Sequence, residues 1–259
     1  MHTVHTMKSP FGDIIYIAPV GFEIDRIVIP AIDAKADIVY LIVHQNSSED
    51  KALKYVDEVQ SQLKKKKIKV EIKSVDRLRV FSIIRVVKEI IDENKNANFI
   101  VNVASGSKIH AIALMMACMM HHDKEKIKPI YPKPKKYQID EFKSIKEQQT
   151  YGVDEILNLP TYDLPIPSRD LLTALKIIKE YQSLHKNGIT KKVLAEKATV
   201  EGIISTSAED KVRAEMASLD KKIIKPLQDR WHLIEEKKIG KNRHITLSKE
   251  GKYASEFLF

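Results

Sequence analysis

The stretch Asn102-Val103-Ala104-Ser105-Gly106-Ser107-Lys108 constrains the fold more than any other part of the chain. It follows a short apolar run, Phe99 to Val101, and opens directly into Ile109 to Met120, a helix-patterned segment rich in small and apolar residues. A strand that ends in small residues and feeds a buried helix leaves its turn open to a ligand. The backbone can be approached closely, the first N–H groups of the helix point outward, and Lys108 adds a full charge. Such a turn is a place to hold an anion.

The pattern around it repeats. Asp13 to Ala18 reads as a β-rich run, broken by Pro19-Val20-Gly21-Phe22, and Glu23 to Ile32 carries apolar residues at helical spacing. Asp37 to Val43 is a nearly continuous apolar strand, as expected when both faces are covered. Ser48 to Lys65 is an amphipathic helix with Leu53, Val56, Val59 and Leu63 on one face. Lys67 to Val75 alternates as a strand, Arg79 to Glu93 reads as a helix, and Asn98 to Val103 is the fourth strand. Strand and helix in alternation predict a parallel sheet covered on both sides, a Rossmann-like α/β domain. Ligands of such sheets sit beyond the carboxyl ends of the strands, at the topological switch point. The turns after strands one and four are the expected neighbours there. They supply Gly21, Phe22, Asp25 and Arg26 on one side and Asn102, Ala104, Ser105, Gly106, Ser107 and Lys108 on the other. His44, after strand two, is a candidate third wall. Ile127 to Ile139, with Pro129, Pro132 and Pro134, reads as an edge strand or an extended arm, because interior strands tolerate proline badly.

Residues 151–167, with Pro160, Pro165 and Pro167, read as a linker between a first domain over 1–150 and a second over 168–259. The second half reads as a winged helix-turn-helix. Arg169 to His185 follows Ser168 as cap and ends at Asn187-Gly188; Ile189 to Lys197 is a short second helix with Thr190 as cap. A third helix runs from Thr206–Asp210 to Leu227, with a kink or an early stop expected at Pro226. Leu233 to Lys238 and His244 to Leu247 form a wing, and a last helix starts at Ser248. In such a unit one helix enters the major groove while the wing tip touches the backbone or the minor groove. The candidate DNA contacts are Thr206, Ser207, Lys211, Arg213, Lys221 and Lys222 on the third helix, and Lys241, Arg243 and His244 on the wing.

Charge supports this division. The 259 residues carry a formal charge of +9, and residues 160–259 hold 19 basic against 14 acidic side chains, a greater net density than residues 1–159 with 25 and 21. That suits phosphate contacts. The single cysteine, Cys118, excludes a disulfide framework within the chain and fits a reducing, cytoplasmic setting. No signal peptide is visible, and the longest apolar run, Ile109 to Met120, is about half of what a membrane span needs.

Several motifs read more plainly. The turn lacks the spacing of a P-loop or of a dinucleotide-binding fingerprint, which argues against ATP hydrolysis and NAD chemistry. Adjacent His121 and His122, with His110 nearby, face different sides of a helix and lack a carboxylate or thiol to complete a metal set, so no metal is expected. Asp25 and Arg26 fit a salt-bridged helix start as well as a ligand contact. The methionines at 115, 116, 119 and 120 read as core or dimer packing.

With both halves placed, the chain resembles the CRISPR-associated Rossmann-fold (CARF) proteins. Their motif after the fourth strand has the form Asn-x-Thr/Ser-Gly-Gly-Thr/Ser-Lys/Arg; here Ala104 stands for the hydroxyl residue and Ser105 for the first glycine. Together with Gly21-Phe22-Glu23-Ile24-Asp25-Arg26 and the C-terminal winged helix, the chain is similar to archaeal CARF-like winged-helix regulators. The resemblance implies a homodimer with a small anionic nucleotide, such as a cyclic oligoadenylate, held between its CARF halves. It also implies a transcription regulator that binds double-stranded DNA and requires no cofactor. Two alternatives stand beside it. One is a metal-independent ring nuclease, in which Lys108, Ser105 and Ser107 stabilise charge developing on the cleaved phosphate. The other is a nucleotide-sensing module that touches no DNA.

Overall fold

The computed structural model describes residues 12–46, 48, 50–121, 123, 125–138, 148–204, 211–240 and 242–259. The chain divides into two compact units, Met1–Leu164 and Pro165–Phe259.

The first unit alternates strand and helix: β1 (Ile14–Pro19), α1 (Asp25–Asp33), β2 (Ile38–His44), α2 (Leu53–Lys65), β3 (Lys69–Val75), α3 (Val80–Glu93), β4 (Asn98–Asn102), α4 (Lys108–Met120) and β5 (Ile127–Lys133). A short arm, β6 (Lys136–Tyr137) paired with β7 (Thr150–Tyr151), precedes β8 (Glu155–Asn158). The main sheet has the order β3-β2-β1-β4-β5-β8, parallel except for β8. The order reverses at β1, so the switch point lies between β1 and β4, as the alternation predicts. Tyr16, Leu41 and Val39 face the apolar side of α1 and α2, where Ile27, Val56, Val59 and Leu63 complete one core layer. Ile15, Ile17 and Phe99 point the other way, the face that α3 and α4 cover with Ile83, Ile90 and Leu114, all fully buried. On α2 the buried face is Tyr55, Val56, Val59 and Leu63; Leu53, expected inside, is exposed at the first turn.

Two further expectations are corrected. β5 is an interior strand despite Pro129 and Pro132. Each proline lies within the ladder on one side only. Pro129 pairs with Val101 of β4 but precedes the first β8 pair, Ile130 with Asn158. Pro132 pairs with Ile156 of β8 but lies beyond the last β4 pair, Asn102 with Ile130. Lys126 O and Ile130 O accept from the N–H groups of Phe99 and Val103, so even-numbered residues of β5 face β4; the Pro129 nitrogen points to the β8 side ahead of the first β8 pair and the Pro132 nitrogen to the β4 side past the last β4 pair, and neither interrupts a ladder. The stretch 151–167 is not a plain linker either, because β8 lies inside it and adds a strand to the sheet.

The second unit is a winged helix: α5 (Arg169–Leu184), β9 (Ile189–Thr190), α6 (Lys191–Val200), α7 (Lys211–Leu219), the wing strands β10 (Ile234–Ile239) and β11 (Asn242–Leu247), and α8 (Lys249–Leu258). Ser168, Thr190 and Ser248 cap α5, α6 and α8 through their hydroxyls. β9 adds a third strand to the wing by pairing with β11. The expected stop at Pro226 does not occur. α7 continues through two π-helical segments, Asp220–Ile224 and Pro226–Arg230, closed by Lys225 N–H to Asp220 O and Trp231 N–H to Pro226 O. A proline cannot donate in the α register and its ring crowds the carbonyl four residues back; the wider turn relieves that crowding. The expected cap at Thr206–Asp210 lies outside the described residues. Among the described residues no helix is long and apolar enough to cross a membrane.

Gly251, in the first turn of α8, has no room for a side chain, since an added Cβ would fall on the carbonyl of Leu233. Glycine to alanine in a helix ordinarily stabilises by about 1 kcal/mol. Here Gly251→Ala is expected to destabilise the winged helix by roughly 1–3 kcal/mol, as overpacking does. Chemical denaturation followed by circular dichroism checks the sign; a more stable variant contradicts the packing.

Candidate functional site

The turns after β1 and β4 meet at the carboxyl edge of the sheet. A Cβ on Gly21 would be 2.9 Å from the backbone N of Gly106, so only glycine lets the two turns touch. Gly106 has φ +77°, and a Cβ there would meet Pro19 at 2.8 Å. Gly106, Ser107 and Lys108 are exposed at the N-terminus of α4. Ser107 is the N-cap, its Oγ accepting from the backbone N–H of His110. An open helix start with a lysine in its first turn is suited to an anion.

Beneath it, several residues expected to touch ligand hold the turn instead. Asn102 is fully buried: its Nδ2 donates to Tyr16 Oη at 3.0 Å and to the Arg26 carbonyl at 2.8 Å, and its Oδ1 accepts from Ala104 N–H at 2.9 Å. Burial pushes the Tyr16 phenol well above its usual range, so it stays neutral. Ser105 is fully buried and its hydroxyl donates to Pro19 O at 2.8 Å. That hydroxyl is therefore not available to stabilise charge on a phosphate, which corrects the role given to it. The Ser107 hydroxyl is engaged too, 2.9 Å from His110 Nδ1.

Arg26 and Asp25 also turn inward. The Arg26 guanidinium, 4% exposed, donates to the Pro132 carbonyl at 2.7 Å and to Glu23 Oε1 at 2.8 Å, and lies 4.9 Å from the Tyr131 ring. Glu23 accepts as well from Thr150 Oγ1 at 3.0 Å. Asp25 accepts from Gly152 N–H at 2.7 Å. The N-terminus of α1 is filled by Gln148, whose Oε1 accepts from the N–H groups of Ile24 and Asp25. Phe22 is part-exposed, with its ring edge-on to Tyr55 at 5.7 Å. Ala104 is half-buried beside the turn. The structure thus brings Gly21, Phe22, Gly106, Ser107 and Lys108 to an accessible crest and places Asn102, Ser105, Asp25 and Arg26 in its support.

Sequence reasoning missed His110 in this setting. The Ser107-x-x-His110 spacing is that of a capping box, with histidine where glutamate or glutamine is usual. Its ring is buried, and burial, with the charge of Arg77 adding to it, lowers its pKa to about 4. Asp50 opposes that shift and His44 adds to it. His44 ends β2 with Nδ1 3.3 Å from Val75 O.

In the winged helix, Arg213, Lys221 and Lys222 are exposed on α7 and its π-helical continuation, and Lys211 opens α7. Thr206, Ser207 and Lys241 lie outside the described residues. Arg243 is exposed with Nη1 3.1 Å from Glu236 Oε2, and His244 is half-buried in β11. Lys191, unnoticed in the sequence, joins Glu236 at 2.9 Å to Asp220 at 2.7 Å. Burial opposes its charge, and the two carboxylates outweigh burial and raise its pKa.

Two family models match the chain, one in each unit. Residues 14–137 match the model described as "HFX_2341_N:-like, N-terminal", and residues 170–258 match the "DUF6293 C-terminal winged helix domain". The second description agrees with the winged helix seen in the second unit. Uncharacterized protein MJ1513 of Methanocaldococcus jannaschii is 28% identical over 187 residues, 63% of this chain and 55% of the relative. The chain thus spans about half the length of that relative. Among solved structures, Can2 of Sulfobacillus thermosulfidooxidans in complex with cyclic tetra-adenylate is 23% identical over 45% of this chain and 31% of its own, with a TM-score of 0.35. Csm6 of Enterococcus italicus, bound to cyclic hexa-2'-fluoro-hexa-dAMP, is 12% identical over 85% and 56%, with a TM-score of 0.42. VC1899 of Vibrio cholerae is 12% identical over 95% and 65%, with a TM-score of 0.41. At these identities and TM-scores the likeness assigns neither ligand nor activity.

The lowered pKa of His110 makes the fold acid-sensitive. The unfolded chain binds a proton on this residue near its ordinary pKa of 6.5, which the folded chain refuses down to about 4. Stability is therefore lost as pH falls from 6.5 towards 4, approaching about 3 kcal/mol, and no such penalty remains above that window. Denaturant titrations at pH 7 and pH 4 test this; His110→Phe should lose less stability on acidification than wild type, and equal losses contradict it.

Proposed function

We propose that this chain, which joins an HFX_2341-like N-terminal domain to a DUF6293 winged helix, is a homodimeric, ligand-responsive DNA-binding regulator of the cytosol. The observation that carries the reading is the crest at the switch point. Gly106, Ser107 and Lys108 stand open at the start of α4, on a turn pinned by Gly21, Asn102 and Ser105. A site that is rigid beneath and open above, with helix N–H groups and one lysine, suits a small anionic nucleotide. A cyclic oligoadenylate is the first ligand to try, because the turn resembles the CARF motif. The ligand works as an effector, with no further cofactor in the scheme, and it acts by favouring one placement of the two winged helices over another.

The homodimer rests on α4. This helix is apolar around its whole circumference, and the side away from the core keeps Ile112 55% exposed, with Met115 and Met116 part-exposed. A second copy is the natural cover for such a face. Dimerisation there sets two crests about one two-fold axis, where a symmetric ligand can bridge them.

Thermal-shift and calorimetric titration with cyclic and linear adenylates tests the sensor. One cyclic species is expected to stabilise the protein at one ligand per two chains, and Lys108→Ala is expected to lose that response while keeping a normal melting curve. Unchanged affinity in the variant removes the turn from the site, and a stoichiometry of one ligand per chain argues against a shared, two-fold site.

DNA binding is expected to reside on α7 and the wing. Lys221 and Lys222 are exposed on the helix and Arg243 on the wing. Replacing both lysines by glutamine should flatten the slope of log affinity against log salt by about 2, since each phosphate contact contributes roughly 0.9. Fluorescence anisotropy on a duplex across a salt series measures this. An unchanged slope takes the end of this helix off the DNA face.

A further inference from the structure

The wing carries a carboxylate where a surface that meets DNA has reason to exclude one. Apolar packing holds only the base of the hairpin, where Ile234, Ile245 and Leu247 are buried. Beyond that base Lys237, Lys238, Ile239, Asn242 and Arg243 are all exposed. Glu236 stands where the packing ends, with its side chain 14% exposed. The register sets Glu236 opposite Ile245 and Lys238 opposite Arg243, so Glu236 and Arg243 are diagonal neighbours on one face of the hairpin.

From Arg243 a chain of alternating charges crosses the winged helix. Arg243 Nη1 donates to Glu236 Oε2 at 3.1 Å. Glu236 Oε1 lies 2.9 Å from Lys191 Nζ, which donates to Asp220 Oδ1 at 2.7 Å. Lys191 is the first residue of α6, and Asp220 follows α7 directly, just ahead of Lys221 and Lys222. Successive ion pairs thus join the wing, the start of α6 and the helix that α7 begins. The four groups sum to zero charge, so together they add nothing to the attraction for phosphate, and each carboxylate taken alone opposes it. What the chain supplies is position. An arginine on a free hairpin surrenders rotamer freedom when it meets a phosphate; Arg243, held by Glu236, has surrendered it beforehand.

We propose that Glu236 is a positioning residue for DNA: braced through Lys191 on Asp220, it holds the Arg243 guanidinium in reach of one backbone phosphate, at a fixed separation from Lys221 and Lys222. This rests on the DNA-binding reading above and deepens it. A guanidinium has more donors than one carboxylate oxygen uses, and with its side chain 64% exposed Arg243 keeps others for the phosphate. A negative charge is thereby required for affinity towards a polyanion, the reverse of what net charge alone dictates.

The test is fluorescence anisotropy of the full chain on a mixed-sequence duplex across a salt series. A mixed sequence suffices because phosphate contacts do not depend on base sequence. Arg243→Gln is expected to weaken binding and to flatten the slope of log affinity against log salt by about 0.9, one phosphate contact. Glu236→Gln, although it removes a negative charge, is expected to weaken binding and to flatten the slope by about 0.9 as well. The double variant should match Arg243→Gln alone, because both changes delete the same contact. Asp220→Asn, at a side chain open to solvent, should also weaken binding, and it carries the test should circular dichroism show that Glu236→Gln does not fold. Tighter or unchanged binding by the Glu236 or the Asp220 variant, or losses that add in the double variant, overturns the positioning role and leaves DNA binding in place. A wild-type chain that does not bind the duplex overturns the DNA reading and the positioning role together.

Discussion

The side chain of Asn102 holds the first unit in the form that makes a site. It stands at the end of β4, fully buried, and spends its polar atoms on three different elements: the Tyr16 hydroxyl in β1, the Arg26 carbonyl in α1, and the N–H of Ala104 in its own turn. A buried amide satisfied in this way costs little, whereas losing one partner leaves others orphaned in the interior. The switch point of the sheet, the first turn of α1 and the start of α4 are thereby fixed relative to one another. Ser105 repeats the device one step on, through Pro19 O.

The Arg26 guanidinium serves the same end from the other side. β4 stops at Asn102, and the Pro132 carbonyl of β5 lies past that end. Arg26 Nε donates to it, while Glu23 neutralises the buried charge and Thr150 and Gln148 bring the β6–β7 arm against the start of α1. A lone buried arginine is prohibitive; with a carboxylate, a carbonyl and an aromatic face it becomes a structural post. Removing Glu23 alone would leave that charge unpaired, a more severe change than removing the pair.

Much of this architecture was legible in the chain itself. The alternation of β-rich runs and amphipathic segments names the parallel sheet, and the hydroxyl residues Ser168, Thr190 and Ser248 mark three helix starts. The meeting of the turns at Gly21 and Gly106 follows from the switch-point rule. What was not legible is partnership across long separations. Gln148 lies 124 residues from the N–H it caps, and Pro132 lies 106 residues from Arg26. No local pattern separates an arginine aimed at a ligand from one aimed at a carbonyl of its own fold. Prolines in β5 were misleading for the same reason, since their cost depends on which neighbouring strand has already ended.

The contacts at the crest also decide what a ligand there can move. Gly21 and Gly106 touch backbone to backbone, so the turn after β4 cannot shift without the turn after β1. The turn after β1 is in turn bonded to the arm: Gln149 N–H donates to Phe22 O at 2.8 Å, and Gly152 N–H to Asp25 at 2.7 Å. Below the crest, Asn102, Ser105 and Arg26 resist displacement because each would strand buried polar atoms. A ligand settling on Gly106 to Lys108 would meet a stiff floor, and any movement of the turn after β4 would carry the Phe22 turn and the β6–β7 arm with it. Those are the parts of the unit whose rearrangement leaves the sheet intact, and an effector's differential affinity can be expressed there without unfolding what binds it.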